Sequence, residues 1–234
     1  MNKEHLAILK KGVEEWNKWR EENPDIKSDL SFTNLNYKKF FGANLSDTNL
    51  REAWLHLSDF RDANLTGANL SRSSLLRADF SDAYLNGTDL SQADLSWVNF
   101  SRSTLHNVNF KKCSIGYAIF SLTDLSSCEN LDTVMVTGQC SIDFQTLRAS
   151  RNLPKDFLFK IGLPENYINY LPDFYDETPL KLHPVFLSHN SVDKAFANQL
   201  YEALTQKRVH LWYDERALKP GDDLMKEINR GINL

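Results

Sequence analysis

From Leu30 to Leu125 every fifth residue of this chain is Leu, Phe or Ile, 20 positions without a break. Two residues before each of these centres the chain carries Ala, Ser, Thr, Cys or Val at 19 of the 20 positions, and Lys38 is the exception. A helix buries a face at period 3.6 and a plain strand at period 2, so a strict period of five fits neither. It fits a coil of short extended segments joined by regular corners. Residues i and i−2 of one segment point the same way, so each side sends one large and one small side chain inward. Phe40, Phe60, Phe80, Phe100 and Phe120 recur every 20 residues, which predicts four pentads per turn. About five coils follow, a column roughly 24 Å long at ~4.8 Å per coil. The residue before the centre is Asn or Asp in 13 of 20 pentads, as recurrent corners favour, because these side chains bond nearby backbone.

An open solenoid end exposes apolar side chains and backbone groups, so it calls for a cap. Residues 1–27 predict one capping helix, with Leu6, Leu9, Val13 and Trp16 along one face and a stop at Pro24. The repeat is expected over 28–130 and a second cap of three short helices over 131–172. Helix-start signals stand at Asp143, Pro154 and Pro164, and a stop signal at Gly162. The polar, proline-bearing stretch 173–183 reads as a linker.

From Pro184 the pattern changes to strand, helix, strand, loop, helix. Val185–Ser188 is an apolar strand, Ser191 an N-cap, and Phe196, Leu200 and Leu204 an apolar helical stripe. Val209–Tyr213 is the second strand, and Lys219-Pro220-Gly221 breaks the chain before a helix bearing Leu224, Ile228 and Ile232. Two strands joined through a helix predict a βαβ unit with a parallel sheet.

The stretch GANLSDTNLREAWLHLSDFRDANLTGANLSRSSLLRADF resembles the pentapeptide-repeat family, whose unit is A-(D/N)-L-x-x. That resemblance implies a right-handed quadrilateral β-helix. FLSHNSVDKAFANQLYEAL and VHLWYDERALKPGDDL together resemble the opening of a bacterial Toll/interleukin-1 receptor (TIR) domain, a flavodoxin-like α/β fold. The family's first strand reads F-I-S-(H/Y)-S-x-x-D, and Phe186, Leu187, Ser188, His189, Asn190, Ser191 and Asp193 stand for it here. Leu187 and Asn190 are the departures. Trp212, Tyr213 and Asp214 match a W-x-D pattern, and Glu215 to Asp222 resembles the BB loop. The fold class expected is therefore mainly β: a pentapeptide-repeat column with helical caps, then a truncated TIR domain over 184–234. About five strands make a TIR domain and two stand here, so the chain is expected to be a piece cut inside one.

The family contains enzymes that cleave NAD+ at the nicotinamide–ribose bond and adaptors that only assemble. Ligands of open α/β sheets bind beyond the strands' carboxyl ends, and free amides at a helix start suit phosphate. The first βα turn thus offers Ser188, His189, Asn190, Ser191 and Asp193, with Asp214 after the second strand, as a nucleotide site. The plainer reading of Ser191 and Asp193 is a helix cap. No residue is assigned as the catalytic acid, so this chain alone is expected to leave NAD+ intact. NAD+ is the implied substrate of the intact protein, and no tightly bound cofactor or metal is expected.

Net charge −4 and pI near 5.9 give no whole-chain pull toward nucleic acid or acidic membranes. The column carries 10 acids against 9 bases over residues 28–127, too balanced to imitate a DNA duplex. Cys113, Cys128 and Cys140 lack metal-ligand spacing and read as reduced, buried residues of a cytoplasmic protein. One outward stripe, Tyr37, Leu57, Arg77, Trp97 and Tyr117, has the composition of an interface core. The plainer alternative lays these rings flat on the column, with Arg77 over Trp97. Self-association through this stripe and through BB-loop residues Arg216, Leu218, Lys219, Pro220 and Gly221 is the partner expectation, along with other TIR domains. Three readings result: a TIR effector enzyme scaffolded by the column, a non-enzymatic TIR adaptor, and, least favoured, a DNA mimic protecting topoisomerases.

Overall fold

The computed structural model describes residues 1–165, 167–169, 171 and 199, and the strands Val185–Leu187 and Leu211–Tyr213. The chain divides into two compact units, Met1–Tyr170 and Leu171–Leu234.

In the first unit the period of five becomes a four-sided coil. Parallel bridges join residues 20 apart from Asp29↔Asn49 to Asn109↔Glu129, with a gap only at Thr104. All 20 pentad centres are buried, and so are the small residues two places before them; Lys38 is exposed. Inside, Phe40, Phe60 and Phe80 stack with ring centroids 4.8 and 4.7 Å apart, and Phe100 and Phe120 continue the pile. Burying each such ring contributes about 1.5–3 kcal/mol before conformational entropy is subtracted.

The corners explain the Asn and Asp bias. Each of the 13 places its Oδ1 to accept the backbone N–H two residues on, as Asp29 does from Ser31 (3.0 Å) and Asn64 from Thr66 (3.0 Å). The centre's carbonyl then accepts from the residue three on, as Phe40 does from Ala43 (2.9 Å). Two residues after each centre, from position 32 to 122, the backbone is left-handed, with φ between 53° and 69°. Only three of those corners are glycine: 42, 67 and 87.

The N-terminal cap differs from the single helix expected. It is two helices, α1 (Lys3–Leu9) and α2 (Val13–Glu22), broken at Gly12 with φ 122°. An L-residue resists that backbone conformation, so the glycine divides one apolar stripe in two. The buried residues are His5 and Leu9 on α1 and Trp16 and Arg20 on α2; Leu6 and Val13 are only half-buried.

At the other end, pairing runs past residue 130 into the segment expected to be a helical cap. The strand pairs are β1 (Ser114–Ile115) with β3 (Met135–Val136), and β2 (Ile119–Phe120) with β4 (Ser141–Ile142). Their registers, Ser114↔Met135 and Ile119↔Ser141, lengthen the repeat from 20 residues to 21 and then 22. A short 3-10 turn spans Leu131–Thr133. Helices α3 (Phe144–Ala149) and α4 (Lys155–Lys160) follow, and Glu165, Tyr167–Asn169 and Leu171 are helical. Gly138 has no side chain because the Tyr117 ring occupies that space.

Of the cysteines only Cys113 is buried; Cys128 and Cys140 are half-buried, and all three are free. Burial pushes the thiols of Cys113 and Cys128 up to about 12. Among the described residues no helix is long and apolar enough to cross a membrane.

In the second unit, β5 (Val185–Leu187) and β6 (Leu211–Tyr213) pair in parallel, with Val185↔Leu211, Phe186↔Trp212 and Leu187↔Tyr213 in register. Gln199, between them in sequence, is helical and exposed.

Candidate functional site

The second unit contains the predicted nucleotide-binding segments. Leu187 and Tyr213 are register partners in a parallel pair, so both strands finish at the same end of the sheet. Ser188 is covalently joined to one and Asp214 to the other. Ser188, His189, Asn190, Ser191, Asp193 and Asp214 themselves lie outside the described residues, as do Arg216, Leu218, Lys219, Pro220 and Gly221. Parallel strands ending side by side provide the frame on which ligands of open α/β sheets settle.

The stripe of the first unit is fully described. Tyr37, Leu57, Arg77, Trp97 and Tyr117 each occupy the left-handed corner position, with φ between 55° and 61°. Trp97 and Tyr117 stack, with centroids 4.4 Å apart, and the Arg77 guanidinium lies 5.5 Å from the Trp97 ring centre. Tyr117 in turn covers Gly138. The rings therefore lie along the column, and the cation–π pair exists. They nevertheless keep a large open surface: Tyr37 is 72% exposed, Trp97 49% and Tyr117 50%. Leu57 and Trp54, on the adjoining side, are also exposed. The diagonally opposite corner carries Asp47, Gly67, Gly87 and Asn107, so the apolar edge belongs to one corner of the four.

Some of the charge elsewhere on the column is paired. Arg61 binds Asp59 at 2.8 Å and reaches Asp79 at 4.0 Å. Arg102 binds Asp82, one coil below, at 2.6 Å. The hydrogen bond from Arg61 holds the Asp59 carboxyl below the usual range, and that from Arg102 does the same for Asp82. Among the described residues no group of three or more His, Cys, Asp or Glu could hold a metal ion.

Comparison with known proteins accords with both units. The pentapeptide-repeat model matches residues 26–62 and 63–102 in eight copies, and the TIR-domain model matches residues 185–234. The chain thus joins pentapeptide repeats to a TIR-domain segment. It is 40% identical over 68 residues to 2' cyclic ADP-D-ribose synthase AbTIR of Acinetobacter baumannii, covering 29% of this chain and 23% of that protein. It is 38% identical over 58 residues to NAD(+) hydrolase PdTIR of Paracoccus denitrificans, covering 24% of this chain and 19% of that protein. The chain therefore spans about a fifth of the length of the curated relatives it matches. A pentapeptide repeat protein from the Arabidopsis thaliana thylakoid lumen aligns at 26% identity and TM-score 0.35, covering 42% of this chain and 65% of that one.

Proposed function

We propose that these residues belong to a TIR effector that cleaves NAD+ at the nicotinamide–ribose bond, and that the repeat column positions or assembles its TIR domain. The observation that carries this reading is the parallel register of β5 and β6, in a segment that matches the TIR model. In this reading Ser188, His189, Asn190, Ser191, Asp193 and Asp214 surround the dinucleotide at the strands' carboxyl ends, in a flavodoxin-like sheet. Free amides after β5 receive its phosphates. The names of the two bacterial relatives, a cyclic ADP-ribose synthase and an NAD+ hydrolase, support the substrate. The column in this reading is right-handed, with about five coils, and copies meet along the stripe Tyr37, Leu57, Arg77, Trp97 and Tyr117 and through the loop at 216–221.

The test is nicotinamide release from NAD+ by a protein carrying these residues and a complete TIR domain. Turnover is expected, with Ser188→Ala and Asp214→Asn each lowering it at least about tenfold, or 1.4 kcal/mol in the barrier. A complete protein that assembles with other TIR domains but releases no nicotinamide would instead be an adaptor. The assembly half has its own test. Trp97→Ser with Tyr117→Ser should lower the mass seen by light scattering while the β circular-dichroism signal survives. An unchanged mass would make the stripe surface decoration.

A further inference from the structure

The first coil of the column has four sides, and the N-terminal cap closes two of them. On one, the N–H of Asp29 donates to His5 Nδ1 (2.9 Å) and its carbonyl accepts from the Asn2 N–H (2.9 Å). On another, the N–H of Asn44 donates to Asn17 Oδ1 (2.8 Å) and its carbonyl accepts from Trp16 Nε1 (2.7 Å). The equivalent groups on the remaining two sides belong to Asn34 and Lys39. Among the described residues neither their N–H nor their C=O groups have a protein partner, and both residues are exposed. Half of the lowest coil is therefore an open sheet edge.

A groove of about 480 Å³ lies against that edge, between it and the cap helices. Leu6, Val13, Leu35 and Phe40 line it, and Lys10, Lys38 and Lys39 stand around it. No acidic residue lines it, and none of the three lysines is in a salt bridge among the described residues. Lys38 is the one pentad position in 20 without a small inward residue. The break in the repeat thus falls where the edge is left open, and it puts a cation where the other pentads bury a small group.

We propose that this edge receives an extended segment of another polypeptide in which acidic and apolar residues alternate. Added as a strand along the side that carries Lys39, the segment supplies a carbonyl to the Lys39 N–H and takes the Lys39 carbonyl with one of its own N–H groups; Asn34 lies on another side, beyond the Tyr37 corner. Alternation follows from the pleat, since successive side chains face opposite ways. Every second residue enters the apolar groove, and those between meet Lys10, Lys38 and Lys39. No residue of the stripe or of the predicted nucleotide site lines this groove, so failure of this proposal leaves the proposed function untouched.

The probe is a synthetic peptide, acetyl-Glu-Phe-Glu-Leu-Glu-Val-amide, titrated into the full chain. Saturable binding should weaken with added salt and fall about tenfold in the double variant Lys10→Glu, Lys38→Glu, both exposed positions. Amide exchange at Lys39 should slow on binding, a readout that charge attraction alone does not move. Binding without that protection would overturn the proposal, as would equal affinity for the peptide with Lys in place of Glu. Laurate displacing the peptide would make the groove an amphiphile site and overturn it. So would protection that rises with protein concentration alone, which would assign the edge to a second copy.

Discussion

The two ends of the column face the same physical problem and solve it differently. A solenoid of parallel bridges finishes on a row of backbone donors and acceptors, and these must be covered or left to water. At the N-terminal end helical side chains do this: Trp16, Asn17 and Arg20 of α2 reach Asn44, Gly42 and Ser46. At the C-terminal end the backbone itself continues, through β3 and β4, in a register loosened to 21 and 22 residues. Side chains enter there only as a second layer. Ser150 Oγ accepts from the Leu125 N–H (2.8 Å) and Thr146 Oγ1 from the Thr123 N–H (3.2 Å). A cap made of side chains concentrates stability in a few residues, whereas a continued ladder spreads it. Substitutions at the first end should therefore cost more per residue than those at the second.

Arg20→Ala should have the largest effect. The Arg20 guanidinium is buried and donates to the carbonyls of Ile26 and Ser46, holding the end of the cap to the second corner it crosses. Burial lowers its pKa, and nearby Asp47 opposes that shift. Truncation removes the Ile26 carbonyl's donor and leaves the Ser46 carbonyl only the Thr48 hydroxyl at 3.4 Å, and it should destabilise the column by about 2–4 kcal/mol. The midpoint of urea unfolding reads this directly. A loss no larger than that of an exposed substitution would show that the cap does not hold the column.

Gly12→Ala should come next. No heavy atom lies within 4 Å of the position an added methyl would take, so the cost is conformational alone. With φ 122° and ψ 170°, Gly12 occupies a region that L-residues avoid, at about 1–3 kcal/mol. Thermal unfolding should shift down. Backbone amide exchange at Asp29, bonded to His5 on α1, should quicken before that at Asn44, bonded to α2.

How much of this was legible depended on whether a feature repeats. The 20-residue coil, the buried centres and the inner phenylalanine stack follow from a period written 20 times. The Asn and Asp bias foretold the corner hydrogen bonds in all 13 cases. Features that occur once were lost. Gly12 sits inside an apolar stripe of helical spacing, and the stripe hid the break. Arg20 looks like any polar residue of a cap, since nothing in one sequence marks a guanidinium aimed at a carbonyl 26 positions away. β3 and β4 were missed because their registers depart from the beat. In the second unit the apolar runs around Val185 and Leu211 were enough for a parallel strand pair, but its candidate site rests on Ser188, Asp214 and their neighbours, outside the described residues.

Asp143 sharpens the contrast from the C-terminal side. It caps α3 by accepting from the Thr146 N–H (2.7 Å), and its other oxygen accepts from Ser121 Oγ (2.6 Å) and the Leu122 N–H (3.1 Å). One carboxylate thus ties the cap helix to the coil below it. Burial disfavours the ionised form, but these hydrogen bonds outweigh it and hold the pKa below the ordinary aspartate value. A depressed folded pKa contributes stability that is present above the unfolded pKa, near 4, and is lost as pH falls through the folded value. Asp143→Ala should cost about 1–2 kcal/mol at pH 7, the loss of an N-cap. The gap between wild type and variant should narrow as the pH is lowered from about 5 to about 2, because the wild-type carboxyl loses its charge over that range. Urea midpoints at four or five pH values would trace it. A gap that stays constant would mean that Asp143 acts through packing, and that the continued ladder alone closes this end.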